Sequence, residues 1–363
     1  MNFVLMHQTI VARDAIGRDI VEMYNLLNRR HNCYLYGDYI LDFRDARRLD
    51  RSDLDMLLGR PSTAIIYHHS NYWEEGEAFL ERAVGPIIFK YHNITPPRCF
   101  AFDHGYWYAC LRGREQTLRF FHKFPNAYWL TDSAFNLEEL GLSVDGRSAV
   151  LPPFPSMTQG AEIQPDGPLL RRLIESQDLN LLFSGRFAPN KGHELMVRVV
   201  QEYAGRYGRN IRLYIVGKLE PACQPYYDRV QALIAGAGLQ DHVLYLGTIL
   251  DEELLAYYLG CDAYLCCSDH EGFCVPIVEA QYCHLPVVAK AKGAVPETLG
   301  PSELLFGESP SAYADALHRL RTDEVFRHQI IRTGYANYAS RFTYPCIEAG
   351  FREAIHTTSQ AEL

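Results

Sequence analysis

Two glutamates eight positions apart flank the stretch of this 363-residue chain whose side chains best suit ligand chemistry. Glu271 lies in a glycine-containing loop, and Glu279 follows Pro276 in a helix-like segment. Proline favours the first helical position, so Pro276 is predicted to start a helix. The backbone N–H groups of residues 273–275 then lie at the positive end of the helix dipole, an arrangement that binds anions. The flanking carboxylates can accept hydrogen bonds from sugar hydroxyls.

Two cations lie five positions apart in an earlier loop. The apolar run 180–183 predicts a strand that ends just before Gly185 and Arg186, and Lys191 closes the loop before a predicted helix over 194–207. Glycine admits close approach of the backbone to a ligand, and both cations can bind phosphate. The loop is therefore predicted to be a second anion-binding edge.

A histidine follows a predicted strand in the first half of the chain. Residues 86–91 form that strand, and Pro96 disfavours the helical conformation at Thr95, so the chain turns away sharply. His92 is thereby placed near the carboxyl edge of a parallel sheet, where ligands of such sheets gather.

These motifs together resemble a known enzyme family. The segment 271–279 carries Glu-Gly-Phe, then Pro, then Glu, and leads to a small-residue helix and the run 285–289. This pattern resembles the signature of family 4 retaining glycosyltransferases, the group 1 enzymes that use nucleotide sugars. Arg186 and Lys191, about 80 residues earlier, match the diphosphate-binding pair of that family. The resemblance implies an α/β fold of GT-B architecture, with two Rossmann-like parallel-sheet domains facing a central cleft.

The resemblance also implies a role for each residue. Glu271 would bind hydroxyls of the donor sugar and Glu279 those of the ribose, while His92 would face the sugar from the opposite domain, so that Glu271 and His92 are the predicted catalytic residues. The family commonly has glycine at the position of Cys274, which we interpret as a pocket wall. Gly17, near the start of the first predicted helix, is the predicted acceptor- or phosphate-loop glycine. The remaining predicted donor-binding residues are Gly185, Arg186, Lys191, Gly217, Ile249, Gly272, Phe273 and Val275.

The reaction so implied moves a hexose-type sugar from a UDP- or GDP-linked donor to a glycan or lipid-linked acceptor. Arg186, Lys191 and the helix start would stabilise the leaving diphosphate, so neither a metal ion nor a cofactor is predicted. A nucleotide-sugar 2-epimerase shares the architecture, but its acid and base residues are not recognisable here as a group. A non-catalytic nucleotide-sugar binding protein is the other alternative. A dinucleotide oxidoreductase is disfavoured, because no G-x-G-x-x-G follows a predicted strand.

Composition limits the class of protein. Hydrophobic residues make up 48% of the chain and charged residues 22%, which is typical of a globular protein, and the length predicts two domains. The net charge of −9 argues against a nucleic-acid partner. Ten cysteines without a CxxC pair indicate reduced thiols of a cytoplasmic protein.

The order of predicted elements sets the domain boundaries. Strand and helix patterns alternate in both halves, and the proline-rich run 151–156 predicts a linker. We therefore expect domains over 1–156 and 157–341, and a terminal helix within 342–363 that crosses back to the first domain. No apolar run is long enough to span a membrane. Cations and aromatic rings interleaved over 98–123 could contact anionic lipid, so peripheral membrane contact is a further hypothesis.

Overall fold

A computed structural model describes residues 1–11, 14–43, 45–101, 103–155, 163–302 and 304–359. The chain divides into two compact units by its internal contacts. The first comprises Met1–Arg98, His104–Ser156 and Phe342–Leu363, and the second comprises Cys99–Asp103 and Met157–Arg341. The predicted boundary between residues 156 and 157 lies outside the described residues.

A six-stranded parallel sheet forms the centre of the described part of the first unit, in the order β3-β1-β5-β6-β7-β8. Two short strands, β2 and β4, pair separately. The strands are β1 (Asn2–Met6), β2 (Thr9–Val11), β3 (Asn32–Tyr36), β4 (Tyr39–Leu41), β5 (Thr63–His69), β6 (Ile87–Tyr91), β7 (Tyr128–Thr131) and β8 (Ser148–Val150). The helices before the second unit are α1 (Ala15–Asn28), α2 (Arg51–Leu58), α3 (Glu74–Leu80), α4 (His104–Lys123) and α5 (Ala134–Glu139).

The first strand shows why helices cover both faces of this sheet. Successive strand side chains point to opposite faces. Phe3 and Leu5 accordingly join one apolar cluster with residues of α1, whereas Val4 and Met6 join another with residues of α2 and α3. All four side chains are fully buried. A parallel sheet covered on both faces follows from this apolar run.

The second unit has its own six-stranded parallel sheet among the described residues, in the order β11-β10-β9-β12-β13-β14. Its strands are β9 (Leu179–Ser184), β10 (Ile211–Val216), β11 (Val243–Gly247), β12 (Ala263–Cys266), β13 (Val287–Lys290) and β14 (Leu305–Phe306). The helices are α6 (Gly167–Ile174), α7 (His193–Tyr207), α8 (Gln224–Gly236), α9 (Asp251–Gly260), α10 (Val275–Tyr282), α11 (Val295–Leu299), α12 (Pro310–Thr322) and α13 (Glu324–Arg341).

The last helix, α14 (Tyr344–Ser359), belongs to the first unit. Ile347, Phe351 and Ile355 are buried in the same apolar cluster as α1, and the Phe351 ring meets Phe154 edge-on with centroids 6.2 Å apart. Residues 360–363 of the predicted terminal segment lie outside the described residues. None of the helices in the described ranges combines the length and apolar character that a membrane crossing requires.

The predicted α/β class with two parallel sheets is confirmed. Strand order reverses between β1 and β5 in the first sheet and between β9 and β12 in the second, and ligands of open α/β sheets bind at such points. One helix boundary differs from the prediction: α10 begins at Val275, so Pro276 is its second residue. The N–H that proline lacks would have no helical partner at either position, so both are tolerated.

Candidate functional site

Two loops meet where strand order reverses in the second sheet. One follows β9 and leads to α7, and the other follows β12 and leads to α10. The Asp269 N–H donates to the carbonyl oxygen of Asn190 at 2.8 Å, and Asn190 Nδ2 donates to the carbonyl oxygen of His270 at 3.3 Å. The two predicted motifs, far apart in sequence, therefore form one site.

An ion pair joins a predicted diphosphate-binding cation to a predicted sugar-binding carboxylate. Lys191 Nζ lies 2.7 Å from Glu271 Oε1, and Ser268 Oγ donates to the same oxygen at 2.7 Å. The side chains of Lys191 and Glu271 are only 18% and 9% exposed. Burial would lower the pKa of Lys191, but the charge of Glu271, the neighbouring Cys274 and the hydrogen bond to Glu271 together outweigh it and hold this pKa above its ordinary value. Lys191 is therefore a fixed positive charge. Arg186, in the same loop, is exposed.

Glycines end three neighbouring strands at this edge: Gly185 after β9, Gly217 after β10 and Gly247 at the end of β11. Gly217 has a φ of 143°, and a Cβ there would lie 1.9 Å from the carbonyl oxygen of Gly185. Only glycine permits this close approach. Ile249, in the loop after β11, is half-buried and packs against the core.

The loop before α10 is hydrogen-bonded to α11 and to the residue that precedes α11. The Ala294 N–H donates to the carbonyl oxygen of Glu271 at 3.0 Å, and Thr298 Oγ1 donates to that of Phe273. Cys274 precedes the helix with a φ of 78°, the left-handed conformation that usually favours glycine. Gly272 and Phe273 connect Glu271 to Cys274, so the predicted anion-binding N–H groups have a fixed scaffold.

Glu279 projects from the second turn of α10 and has a partner on α9. Tyr258 OH donates to Glu279 Oε2 at 2.8 Å. Burial, reinforced by the charge of Glu279, raises the pKa of Tyr258 well above its ordinary value, so the phenol stays protonated. This hydrogen bond fixes the direction of the carboxylate.

Two thiols lie beside the Lys191–Glu271 pair. Cys266 Sγ and Cys274 Sγ are 3.9 Å apart. The hydrogen bond between the two sulfurs lowers the pKa of Cys266, and the same interaction together with burial raises the pKa of Cys274. These thiols and Glu271 form one of two groups of metal-ligating side chains in the described ranges, the other being Asp19, His68 and His92.

His92 lies in the first unit, immediately after β6, and both of its ring nitrogens are hydrogen-bonded. Nδ1 lies 3.0 Å from Asp132 Oδ2, and Nε2 lies 2.8 Å from His68 Nδ1. Asp132 also pairs with Lys90. Burial would raise the pKa of Asp132, but His92 and Lys90 outweigh it and hold that pKa below its ordinary value. The His92 side chain is only 4% exposed, so a sugar hydroxyl must displace His68 to reach Nε2.

Sequence reasoning missed the residues that surround His92. His68 and His69 end the buried run of β5, and Lys90 interrupts the apolar run of β6. Charged residues are rarely fully buried unless paired, so a lysine inside an apolar strand pattern was the available signal for Asp132. His7 Nε2 and Ser70 Oγ, hydrogen-bonded at 2.9 Å, link the ends of β1 and β5.

Gly17 has a structural reason to be glycine. Its N–H donates to Asp14 Oδ1 at 2.6 Å, and a Cβ on it would lie 1.7 Å from the carbonyl oxygen of Val11. The packing of α1 against β2 thus excludes any side chain there. A ligand-binding role for Gly17 stays a prediction.

The chain is similar in sequence to known glycosyltransferases. Residues 171–337 match the model of the family described as Glycosyl transferases group 1. The D-inositol 3-phosphate glycosyltransferase of Acidothermus cellulolyticus is 30% identical over 289 residues, which cover 76% of this chain and 63% of the relative. The protein of the same name from Paenarthrobacter aurescens is 26% identical over 328 residues, covering 85% of this chain and 76% of that relative.

A solved structure shares the fold. HepE of Anabaena, crystallised with UDP and glucose, superposes with a TM-score of 0.77 at 15% identity, and the match covers 98% of this chain and 100% of that one. The two sheets therefore have the GT-B fold. Residues 171–337, which carry the Gly-Arg and Lys-Gly loop and the glutamate-framed loop, therefore form a domain that matches the glycosyl transferases group 1 family.

Proposed function

We propose that this chain is a retaining glycosyltransferase that moves a hexose-type sugar from a nucleoside-diphosphate sugar to a glycan or lipid-linked acceptor. The observation that carries the proposal is the 2.7 Å contact between Lys191 and Glu271, where β9 and β12 diverge. A nucleotide sugar presents an anionic diphosphate directly beside a hydroxylated ring. A fixed cation next to a fixed carboxylate matches that pair of groups.

The proposed chemistry follows from charge. Breaking the bond between the anomeric carbon and the diphosphate leaves positive charge on the carbon and additional negative charge on the leaving group. Arg186, Lys191 and the N–H groups of residues 273–275 are assigned to stabilise that anion, which preorganised donors do best in a water-poor site. In this assignment the protein alone supplies the positive charge, and no side chain is assigned as a covalent nucleophile.

Two glutamates and a histidine are assigned to the rest of the donor. Glu271 Oε1 accepts from Lys191 and Ser268, whereas Oε2 accepts no hydrogen bond from the described residues and is assigned to sugar hydroxyls. Glu279, oriented by Tyr258, is assigned to the ribose. His92 is assigned to contact the sugar.

Relatives suggest which donor and acceptor to test first. The Anabaena HepE structures hold UDP, glucose and UDP-glucose. We therefore propose a UDP-linked hexose as the donor in preference to a GDP-linked one. The relatives named D-inositol 3-phosphate glycosyltransferase add phosphorylated polyols to the acceptors worth screening.

UDP binding and UDP release test the proposal directly. Calorimetry should show UDP binding to the natural protein and a loss of roughly 100-fold in affinity for the double variant Arg186→Ala/Lys191→Ala, since two charged contacts are removed. Arg212→Ala is the matched control, because Arg212 lies near the opposite end of the same sheet and pairs with Asp178. Undiminished affinity in the folded double variant would refute the diphosphate site.

Product analysis separates the alternatives. Incubation with UDP-glucose and an acceptor panel should release UDP and form a glycoside with retained anomeric configuration. Conversion of the donor into its epimer without an acceptor would instead indicate a nucleotide-sugar 2-epimerase. Tight donor binding with no UDP release over the whole panel would indicate a binding protein.

We propose peripheral membrane contact as a separate point, carried by helix α4. Its cations already have protein partners: Arg119 and Lys123 pair with Glu77, and Arg114 pairs with Glu139. Contact with anionic lipid would have to compete with these pairs. Co-sedimentation with anionic and with neutral vesicles tests it, and equal recovery in both pellets would refute the contact.

A further inference from the structure

Three metal-ligating side chains of the second unit have ligand atoms within 4.8 Å of one another. They are Cys266 at the end of β12, Cys274 before α10, and Glu271 between them in the loop. Their exposures are 0%, 7% and 8%, so the cluster is buried. The function proposed above uses the carboxylate but leaves both thiols without a role.

The separation of the sulfurs suits a tetrahedral metal ion. Zn²⁺ binds thiolate sulfur at about 2.3 Å, and a tetrahedral angle then holds two sulfurs about 3.8 Å apart. Cys266 Sγ and Cys274 Sγ lie 3.9 Å apart. Two thiolates with one carboxylate form a soft ligand set that leaves a fourth position for water.

Charge supports a divalent ion. Two thiolates and the Glu271 carboxylate carry −3, and Lys191, 2.7 Å from Glu271, carries +1, which leaves −2. A divalent cation neutralises this sum, which a buried site requires. A monovalent or trivalent ion would leave an uncompensated charge.

We propose that Cys266, Cys274 and Glu271 form a binding site for a thiophilic divalent cation of the Zn²⁺ class, which competes with Lys191 for Glu271. Because family members commonly have glycine at position 274, the second thiolate is a specific feature of chains with cysteine there. The occupied site takes the carboxylate assigned to sugar hydroxyls, so ion and nucleotide sugar exclude each other. This last consequence rests on the function proposed above.

Co²⁺ is the probe, because Co²⁺ bound to thiolate has a charge-transfer absorption that exposed carboxylates do not produce. Titration without oxygen, in a non-thiol reductant, should show one Co²⁺ per chain with that absorption, displaced by Zn²⁺. Cys266→Ala and Cys274→Gly should each weaken Co²⁺ binding at least 10-fold. Glycine suits the φ of 78° at position 274, so the second variant keeps the backbone conformation.

Cys267→Ala is the matched control, since Cys267 is the buried neighbour of Cys266 outside the cluster. It should bind Co²⁺ like the natural protein. Lys191→Ala should bind Co²⁺ more tightly, because it removes the competitor for Glu271. Absence of the charge-transfer absorption, an equal loss in Cys267→Ala and Cys266→Ala, or weaker binding in Lys191→Ala would each overturn the site.

Inhibition of sugar transfer distinguishes the ion site from the proposed function. Zn²⁺ should inhibit transfer by the natural protein, with less inhibition as the nucleotide sugar concentration rises. If Co²⁺ binds as expected and Zn²⁺ leaves transfer unchanged, the ion site stands and the assignment of Glu271 to the sugar is wrong. If Co²⁺ does not bind while transfer depends on Arg186, the function stands and the ion site is wrong.

Discussion

The two points of strand reversal share one topology, but the cation at the first is more deeply buried than the cation at the second. In the first unit, the end of β6 places His92 and Lys90 against Asp132, His68 at the end of β5 is hydrogen-bonded to His92, and Lys90 is fully buried. In the second unit, the loops after β9 and β12 hold Lys191, whose side chain is 18% exposed. A parallel sheet thus gathers polar side chains at one edge whatever their role, and burial decides which of them a ligand can reach.

The contrast extends to partners. Lys90 donates to both Asp132 and the Leu151 carbonyl oxygen, and Asp19 lies 3.9 Å away, so the protein itself surrounds the charge. Within the described ranges, Lys191 has one carboxylate partner, Glu271, and its side chain is 18% exposed. We interpret Lys90 as a structural cation and Lys191 as a ligand-binding one.

The largest effect is expected for Lys90→Met. This change leaves Asp132 buried beside His92 without its cation, and breaking a buried pair typically costs about 3–5 kcal/mol of folding free energy. Urea denaturation of the variant measures it. Lys123→Met is the control within the same unit: Lys123 pairs with Glu77 and Glu81 but is 41% exposed, so a loss below about 1 kcal/mol is expected. Equal losses of folding free energy in Lys90→Met and Lys123→Met would contradict the view that burial makes the Lys90 pair more important for stability.

UDP affinity should depend on Lys191 of the second unit and not on the buried charges of the first unit. Lys191→Ala alone should weaken UDP binding roughly 10-fold, because one charged contact is removed. Its folding free energy should fall less than in Lys90→Met, because the Lys191 side chain is 18% exposed, so water can replace it beside Glu271, whereas Lys90 is fully buried. Asp132→Asn, a change in the first unit that keeps side-chain size, should leave UDP affinity unchanged. A loss of UDP affinity in Asp132→Asn as large as in Lys191→Ala would contradict the separation of roles.

The second unit could be predicted further than the first, for a physical reason. Its site residues follow apolar strands in short loops punctuated by glycine and proline, so position in the sheet follows from local pattern alone. This pattern places Arg186, Lys191 and Glu271 in loops at the carboxyl edge of the sheet and Glu279 in the helix that follows, and the roles predicted for them come from the family resemblance. The ion pair between Lys191 and Glu271 could not be predicted, because this contact depends on β9 and β12 being neighbours in the sheet.

In the first unit the site depends on side chains buried inside strands. His68 and Lys90 interrupt an apolar pattern, and nothing near them in sequence identifies His92 as the partner of His68 or Asp132 as the partner of Lys90. The small sheet of β2 and β4 was also missed. Each of those strands has only three residues, too few for a period to show.

His92→Ala separates sugar contact from nucleotide contact. The variant loses the ring assigned to the sugar but none of the groups assigned to the diphosphate. We expect the kcat for sugar transfer to fall roughly 10-fold, which corresponds to the loss of one polar contact. The Kd for UDP should be unchanged. His92→Asn, which can still donate toward Asp132, should recover part of the rate. An unchanged rate in the alanine variant would remove His92 from the site.

Both units contain buried histidines whose pKa lies below the ordinary value. Burial lowers the pKa of His7 to about 4 and that of His69 to about 3 in the first unit. Burial, with the charge of Lys191, lowers the pKa of His193 to about 3 in the second. Unfolded histidine has a pKa of about 6.5. As pH falls below that value the unfolded chain takes up protons first, so stability present above about pH 6.5 is lost progressively toward the folded pKa values.

The variant His193→Phe should remove one titrating group from the pH dependence of stability, with a small structural change. The His193 ring already stacks on Phe187, with centroids 4.0 Å apart and planes 7° from parallel. Its Nε2 has no hydrogen-bond partner among the described residues, and its Nδ1 has only a long contact with Tyr226 OH, at 3.4 Å, among the side chains described. A phenyl ring keeps the stack and buries no unsatisfied nitrogen. Between pH 4 and 6 the loss of unfolding free energy should diminish by about 1.4 kcal/mol per pH unit, the contribution of one proton. His328→Gln, a change at an exposed helix position, is the control. An unaltered pH slope in His193→Phe, measured by urea denaturation at several pH values, would show that His193 takes up its proton in the folded state.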